Sequence, residues 1–254
     1  MLIAIDIGNS SITIGYFTDA VLFVQKIHTH PVLSYHKYSA LINKFIKETN
    51  MEKTPGGIII SSVVPGHTKV LLKALQRLAD AEPLIVSHSI KSGLGFTIPE
   101  PDQLGSDRIA NAVAAYALYR RPVAVIDFGT ATTISVVGKK AAFIGGAIMP
   151  GLNLMNQSLA KGTSRLREIP IQPPASALGQ DTEGCIRSGL FYGSAGAVER
   201  ILQDIENAAG FRLKVVVTGG YGGHISHFLQ RRHKIVPHLT LEGLRLLYFM
   251  NTDA

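Results

Sequence analysis

Apolar residues along the chain fall into two recurring periods. Leu2-Ile3-Ala4-Ile5 is an unbroken apolar run and reads as a buried strand. Ile12, Ile14 and Tyr16 then alternate with Thr13 and Gly15, the period of two of a second strand. Between them, Asp6-Ile7-Gly8-Asn9-Ser10-Ser11 is a tight polar turn, and Gly8-Asn9 suits a hairpin that needs positive φ. Val21 to Ile27 predicts a third strand. At 35–49 the period becomes helical, with Tyr38, Leu41, Ile42, Phe45 and Ile46 on one face. Gly57 to Val64 predicts a central strand ending at Pro65, His67 to Leu78 a helix, and Pro83 to Val86 another strand. The Gly- and Pro-rich segment 93–108 predicts an ordered loop before a helix from Asp107 through Tyr119, whose Ala110, Ala114 and Ala115 permit close helix packing. Strands alternating with helices predict an α/β protein.

The opening pattern then returns. Ala124-Val125-Ile126-Asp127-Phe128-Gly129-Thr130-Ala131-Thr132-Thr133-Ile134 lies over Ile3-Ala4-Ile5-Asp6-Ile7-Gly8-Asn9-Ser10-Ser11-Ile12-Thr13. Each copy reads apolar run, Asp, apolar residue, Gly, small polar residue, β-branched strand. Two such units half a chain apart predict a duplicated domain. The halves are placed at 1–117 and 118–254, where Tyr119-Arg120-Arg121-Pro122 interrupts the pattern. Beyond the second copy come a strand from Phe143 into the turn Pro150-Gly151, helices at 152–161 and 184–208, and a strand over Lys214–Thr218 opening on Gly219-Gly220. An amphipathic helix at 241–250 closes the chain.

Composition narrows the class. With 46% hydrophobic and 17% charged residues among 254, the chain can bury a real core, which excludes global disorder. One cysteine, Cys185, excludes an internal disulfide framework and a Cys-only zinc site, and it fits a reducing cytoplasm. Its place on a predicted helix reads as a buried structural thiol. The stretch 122–138 carries Asp127 and falls short of the roughly 18–20 apolar residues of a membrane span. The first residues lack the basic start of a signal peptide. A net charge of +7 is compatible with nucleic acid, an anionic small substrate or solubility alone. The tightest basic cluster, Arg231-Arg232-His233-Lys234, reads as a solvated helix end, so neither nucleic acid nor membrane is expected as a partner. The nine histidines, among them His30 and His67, show no pairing that matches a motif and read as surface or turn residues.

Three constellations can carry chemistry. Asp6 with Gly8-Asn9-Ser10 offers a carboxylate for a divalent ion and a nest of backbone N–H groups for phosphate. An Asx turn capping a hairpin is the plainer alternative, and the repeat as Asp127-Phe128-Gly129-Thr130 favours the functional reading. Thr218-Gly219-Gly220 reads equally as a close approach to a nucleotide or as a strand-to-helix turn. Gly105-Ser106-Asp107-Arg108 sets a base beside a cation, as phosphoryl transfer to an alcohol requires. Taken alone, however, that tetrapeptide is better explained by a carboxylate stabilised at a helix start. There is no G-x-x-x-x-G-K-[ST], no G-x-G-x-x-G opening a helix, no H-E-x-x-H and no C-x-x-C.

The ordered set of motifs resembles a known family. Asp6-Ile7-Gly8-Asn9-Ser10, Ser61-Ser62-Val63-Val64-Pro65, Gly105-Ser106-Asp107-Arg108, Asp127 to Thr133, Gly145 to Gly151, Thr218-Gly219-Gly220 and Leu239 to Leu244 are similar, in this order, to the motifs of type III pantothenate kinases. The resemblance implies a duplicated actin-like (ribonuclease H-like) α/β fold, shared with acetate and sugar kinases, Hsp70 and actin, with the active site between two similar halves. The activity it implies is ATP-dependent phosphorylation of pantothenate to 4′-phosphopantothenate, the first step of coenzyme A biosynthesis. Carried over by position, Asp6, Ile7, Gly8, Asn9, Ser10, Ser11, Ile12 and Thr13 form the ATP phosphate loop, with Asp6 on Mg²⁺. Asp107 is the implied proton acceptor, with Gly105, Ser106, Arg108 and Thr182 around pantothenate. Asp127 is implied for a monovalent cation (K⁺ or NH₄⁺), and Thr130 for an ATP contact. A cytoplasmic homodimer is the implied state. Ser10 stands where Thr is usual, Ser106 where Ala is, Asp181 where Asn is common, and Ile98 where many members carry a substrate-lining Tyr. The alternatives are a non-catalytic regulator of the Bvg accessory factor kind and another small-molecule kinase of the superfamily. Intact Asp6, Asp107, Arg108 and Asp127 argue for the enzyme.

Overall fold

Strand β1 (Leu2–Ile7) is buried at every position except Asp6, which is half-buried, so it needs cover on both faces and takes the middle of a sheet. The computed structural model describes residues 1–18, 22–49, 55–75 and 82–252. β2 (Ser11–Phe17) returns antiparallel to β1, and β3 (Leu22–His28) pairs antiparallel with β2. β4 (Gly57–Ser62) runs parallel to β1 on its other side, and β5 (Leu84–Ile85) follows, giving the order β3-β2-β1-β4-β5. Helices α1 (Tyr35–Glu48) and α2 (Pro65–Leu75) bring Tyr38, Ile42 and Leu71 onto Ile3, Ile5 and Ile7.

Within the segment expected as a loop, Gly95–Phe96 forms β6; α3 (Ser106–Tyr119) follows. β7 (Val123–Phe128), β8 (Ala131–Val137) and β9 (Ala142–Pro150) then repeat the antiparallel meander. After α4 (Leu152–Gly162) and the 28-residue α5 (Thr182–Ala209), β10 (Lys214–Thr218) runs parallel to β7. The short α6 (Gly222–Ile225), β11 (Lys234–Ile235) and α7 (Leu239–Asn251) complete the chain. The second sheet has the order β11-β10-β7-β8-β9-β6. Its β9-β8-β7-β10-β11 portion reproduces the strand sequence and directions of the first sheet, so the duplication reaches the topology. Its own core joins Ile126, Phe128 and Val217 with Phe191, Val198 and Leu202 of α5.

The chain divides into two compact units, Met1–Leu94 with Pro99–Ala114 and Thr240–Ala254, and Gly95–Ile98 with Ala115–Leu239. Against halves cut at 117, this partition places 95–98 and 115–117 in the second unit and 240–254 in the first. β6 pairs with β9, and Thr97 donates its N–H and hydroxyl to Phe143 O, which draws 95–98 into the second unit. α7 belongs to the first unit because Gly243 packs directly on the Ala110 backbone and Tyr248 lies over Gly57. Thr240 Oγ1 also donates to Asn111 Oδ1 (2.9 Å), and Asn251 Nδ2 to Lys91 O (2.7 Å). Ala110 of α3 is therefore a helix contact, as its spacing predicts.

Other details depart from the sequence reading. Neither Gly8 nor Asn9 takes a positive φ; the turn closes instead through Gly8 N–H to Ser11 O at 3.0 Å. α2 begins at Pro65 rather than His67, because proline's fixed φ and missing N–H suit the first helical position. Val21 and residues 76–78 of the expected helix lie outside the described residues. Cys185 is exposed on α5 rather than buried. His67 is buried at 1% exposure, its Nδ1 3.2 Å from Tyr38 Oη.

Candidate functional site

In the first unit, parallel pairing of β1 with β4 sets Asp6 beside Ser61, and antiparallel pairing with β2 sets it opposite Thr13. Ser61 Oγ donates to Asp6 Oδ1 at 3.0 Å. Ser61 Oγ and Ser106 Oγ stand 3.0 Å apart. Ser106 Oγ in turn accepts the Ser62 N–H at 2.9 Å and lies 3.2 Å from Ser62 O. The buried hydroxyls Ser61 and Ser106 thus tie the end of β1 and the end of β4 to the first turn of α3. Thr68 Oγ1 adds a 2.7 Å bond to Ser62 Oγ from α2. The serines of Ser61-Ser62 were visible as a motif in the sequence, but not this connecting role, which depends on strand register.

That anchoring places Asp107 and Arg108 at the start of α3, both half-buried. Asp107 Oδ1 accepts the Arg108 N–H at 2.8 Å. Burial pushes the Asp107 carboxyl above the ordinary 3.8, outweighing the Arg108 N–H and guanidinium, which pull it down. Arg108 is lowered by the same burial and raised by Asp107. Gly105 has a specific reason to lack a side chain: a Cβ there would stand 2.5 Å from Asp107 Oδ1. Asp107 thus stands in the first turn of α3 with the Arg108 cation next to it.

The second unit holds the other carboxylate. Asp127 is the penultimate residue of β7, opposite Thr133 of β8 and beside Thr218 of β10. Gly219, with φ +90°, brings its backbone against Asp127 Oδ1 and the Phe128 main chain, where a Cβ has no room. Gly151 closes the other side: its N–H donates to Thr130 O at 3.1 Å, and a Cβ there would strike the carbonyls of Gly129 and Thr130. Tyr221 N–H holds Phe128 O at 3.1 Å. The turn Asp127-Phe128-Gly129-Thr130 is thus cradled by two glycines from later segments of the chain, Gly151 directly after β9 and Gly219 directly after β10, a meeting that the fold supplies and spacing does not show.

The remaining expected site residues fall elsewhere. Thr182 is the exposed first residue of α5, and Asp181 caps that helix by accepting the Gly184 N–H at 2.7 Å. The negative charge that replaces the usual Asn thus has a local helix-capping use. Ile98 packs near Gly145 in the second unit. The basic run 231–234 is not a helix end. It leads into β11, and Arg231 is held by Glu199 at 3.0 Å and Glu206 at 3.5 Å. Among the described residues no group of three or more His, Cys, Asp or Glu side chains could hold a metal by itself, and no helix is long and apolar enough to cross a membrane.

Comparison with known proteins fits this geometry. Residues 2–204 match the family model described as type III pantothenate kinase. The chain is 36% identical over 253 residues to the type III pantothenate kinase of Anaeromyxobacter sp. (strain K), covering 99% of this chain and 100% of the relative. It is 38% identical over 251 residues to that of Agathobacter rectalis, covering 98% and 96%. Among solved structures, component A of the (R)-2-hydroxyglutaryl-CoA dehydratase of Acidaminococcus fermentans superposes with a TM-score of 0.56 at 15% identity, over 97% of this chain and 96% of that one. That likeness concerns the fold alone, a duplicated actin-like α/β architecture. By the family match, by full-length identity above a third and by the motifs now placed in the fold, the chain belongs to the type III pantothenate kinase family.

Proposed function

We infer that this chain transfers the γ-phosphoryl group of ATP to the 4′-hydroxyl of pantothenate, the first step of coenzyme A biosynthesis. Beside family membership, the observation that carries this reading is the first turn of α3, where Asp107 and Arg108 stand together on a helix anchored by Ser106 to β4 next to Asp6. In the reaction the pantothenate hydroxyl oxygen bonds to the γ-phosphorus, the bond to the ADP oxygen breaks, and the hydroxyl proton passes to Asp107. Burial raises the proton affinity of Asp107, which makes it a better base than an ordinary aspartate. Arg108 offers the pantothenate carboxylate a two-pronged donor, and Gly105, Ser106 and Thr182 complete the pantothenate contacts.

The turn from Asp6 to Thr13 receives the ATP phosphates on its backbone N–H groups and serine hydroxyls, and Thr130 makes a further ATP contact. Mg²⁺ takes oxygen ligands, commonly one or two carboxylates completed by phosphate and water. Asp6, a half-buried carboxylate in a serine-rich turn, fits that donor set, and the ion would neutralise phosphate charge. Asp127, an oxygen donor in a tight turn against the Gly219 backbone, would hold the weakly hydrated K⁺ or NH₄⁺. A cytoplasmic homodimer completes the proposal.

The test is a coupled ADP-release assay with Mg²⁺ and K⁺, run with pantothenate and with a panel of sugars. Pantothenate-dependent ADP release is expected. Release with a sugar alone would identify another kinase of the superfamily, and a folded protein silent with every acceptor would point to the regulator.

A further inference from the structure

We propose that Thr29 is a positioning residue that sets which way the peptide groups of the Asp6–Thr13 turn face. Thr29 directly follows β3 and is fully buried. Its hydroxyl donates to Gly8 O at 2.7 Å, and its N–H donates to Ser10 O at 3.2 Å. One buried residue therefore takes up two carbonyls of a turn whose Asn9 and Ser10 are exposed. A trans peptide is planar, with its C=O and the following N–H pointing in opposite directions. Drawing Gly8 O and Ser10 O toward Thr29 consequently turns the Asn9 and Ser11 N–H groups away from it. Two N–H groups aimed in a common sense are what an anion requires of a turn. The turn needs such an external clamp because neither Gly8 nor Asn9 uses positive φ to hold its shape.

The second turn keeps the N–H half of this arrangement and adds glycine contacts. There the backbone is held by Gly151 N–H on Thr130 O and by the close approach of Gly219. A hydroxyl clamp on the first turn and glycine cradling on the second mark the first as the one whose donors are directed. This inference rests on the reading of the Asp6–Thr13 turn as the ATP phosphate loop.

Thr29→Val removes the hydroxyl at similar size, and Thr29→Ser restores it. The readouts are calorimetric affinity for a non-hydrolysable ATP analogue, the KM values for ATP and pantothenate, and the thermal midpoint of the ligand-free protein. Thr29→Val is expected to weaken analogue binding and raise the ATP KM by roughly three- to tenfold, the scale of one lost hydrogen bond. The pantothenate KM should stay within about twofold, and Thr29→Ser should recover most of the loss. Thr29→Ala reports the same split should the valine variant fail to fold. A folded Thr29→Val with wild-type nucleotide affinity overturns the clamp, as does an equal loss for both substrates or a failure of Thr29→Ser to rescue. A wild-type protein that binds no nucleotide overturns the phosphate-loop reading, and the clamp with it.

Discussion

The two aspartate turns, one in each unit, share a scaffold and differ in what backs it. β1 and β7 have the same order of buried and half-buried positions, as do β2 and β8. Asp6 faces Thr13 and lies beside Ser61; Asp127 faces Thr133 and lies beside Thr218. The hydroxyls on the neighbouring strands then part company. Ser61 donates to Asp6, whereas Thr218 Oγ1 points to Pro237 O at 3.4 Å and leaves the neighbourhood of Asp127 to Gly219. Asp6 is backed by a neighbouring hydroxyl, and Asp127 has a glycine backbone packed against it. One backbone pattern thus serves two kinds of site, with the difference lodged in a few adjoining residues.

The largest expected effect tests whether proton transfer belongs to the first unit. Asp107→Asn keeps the shape but cannot accept a proton, so kcat should fall about 10²–10⁴-fold. Because burial already disfavours the Asp107 charge, folding stability near neutral pH should hold or rise slightly. Near-normal turnover in the folded variant would remove the base assignment. The same raised pKa gives a pH test: wild-type turnover should fall on acidification with a midpoint above 3.8.

Gly219→Ala attacks the second turn. Its φ of +90° and the Phe128 backbone leave no place for a methyl group. Backbone strain alone costs about 1–3 kcal/mol, with the clash in addition, measurable by urea unfolding. Ser61→Ala, the counterpart in the first unit, should cost less, about 1 kcal/mol for a hydrogen bond whose partner remains half-exposed. A reversed order would undo the contrast between glycine and hydroxyl backing.

Arg108→Lys should raise the pantothenate KM by about ten- to a hundredfold, since an ammonium cannot reproduce a bidentate contact worth roughly 1.5–3 kcal/mol. Pantothenol, which lacks the carboxylate, should show little change between wild type and variant. If Arg108 only braces Asp107, kcat falls instead and the preference between the two compounds stays put.

The smallest effect concerns His67 in the first unit. Burial, with His30 adding, holds its pKa below the ordinary 6.5. As pH drops through 6.5 the unfolded chain takes up a proton that the folded one refuses, so stability falls toward lower pH. Urea unfolding of His67→Gln should show a shallower loss between pH 7 and 5.5 than wild type, and parallel curves would dismiss His67 as the cause.

Much of this was legible in one dimension. The apolar runs, the period of two after Asp6 and Asp127, and the recurrence itself determined the α/β class, the duplicated strand–turn–strand units and the ordered motifs of the family, because burial demands apolar residues at strand and helix spacing. Only the tertiary structure decided the finer correspondences. An ungapped overlay puts Ile134 on Thr13, yet strand pairing matches Thr13 with Thr133, because the second turn is one residue shorter. A one-residue slip would turn the buried face of the strand outward, and the shorter turn absorbs it. Ser61 on Asp6, Thr29 on Gly8 and Gly219 on Asp127 likewise join residues far apart in the chain. Local spacing reports which residues can line a strand or a turn; which distant hydroxyl or glycine backs them depends on strand register and packing, and those exist only once the chain has folded.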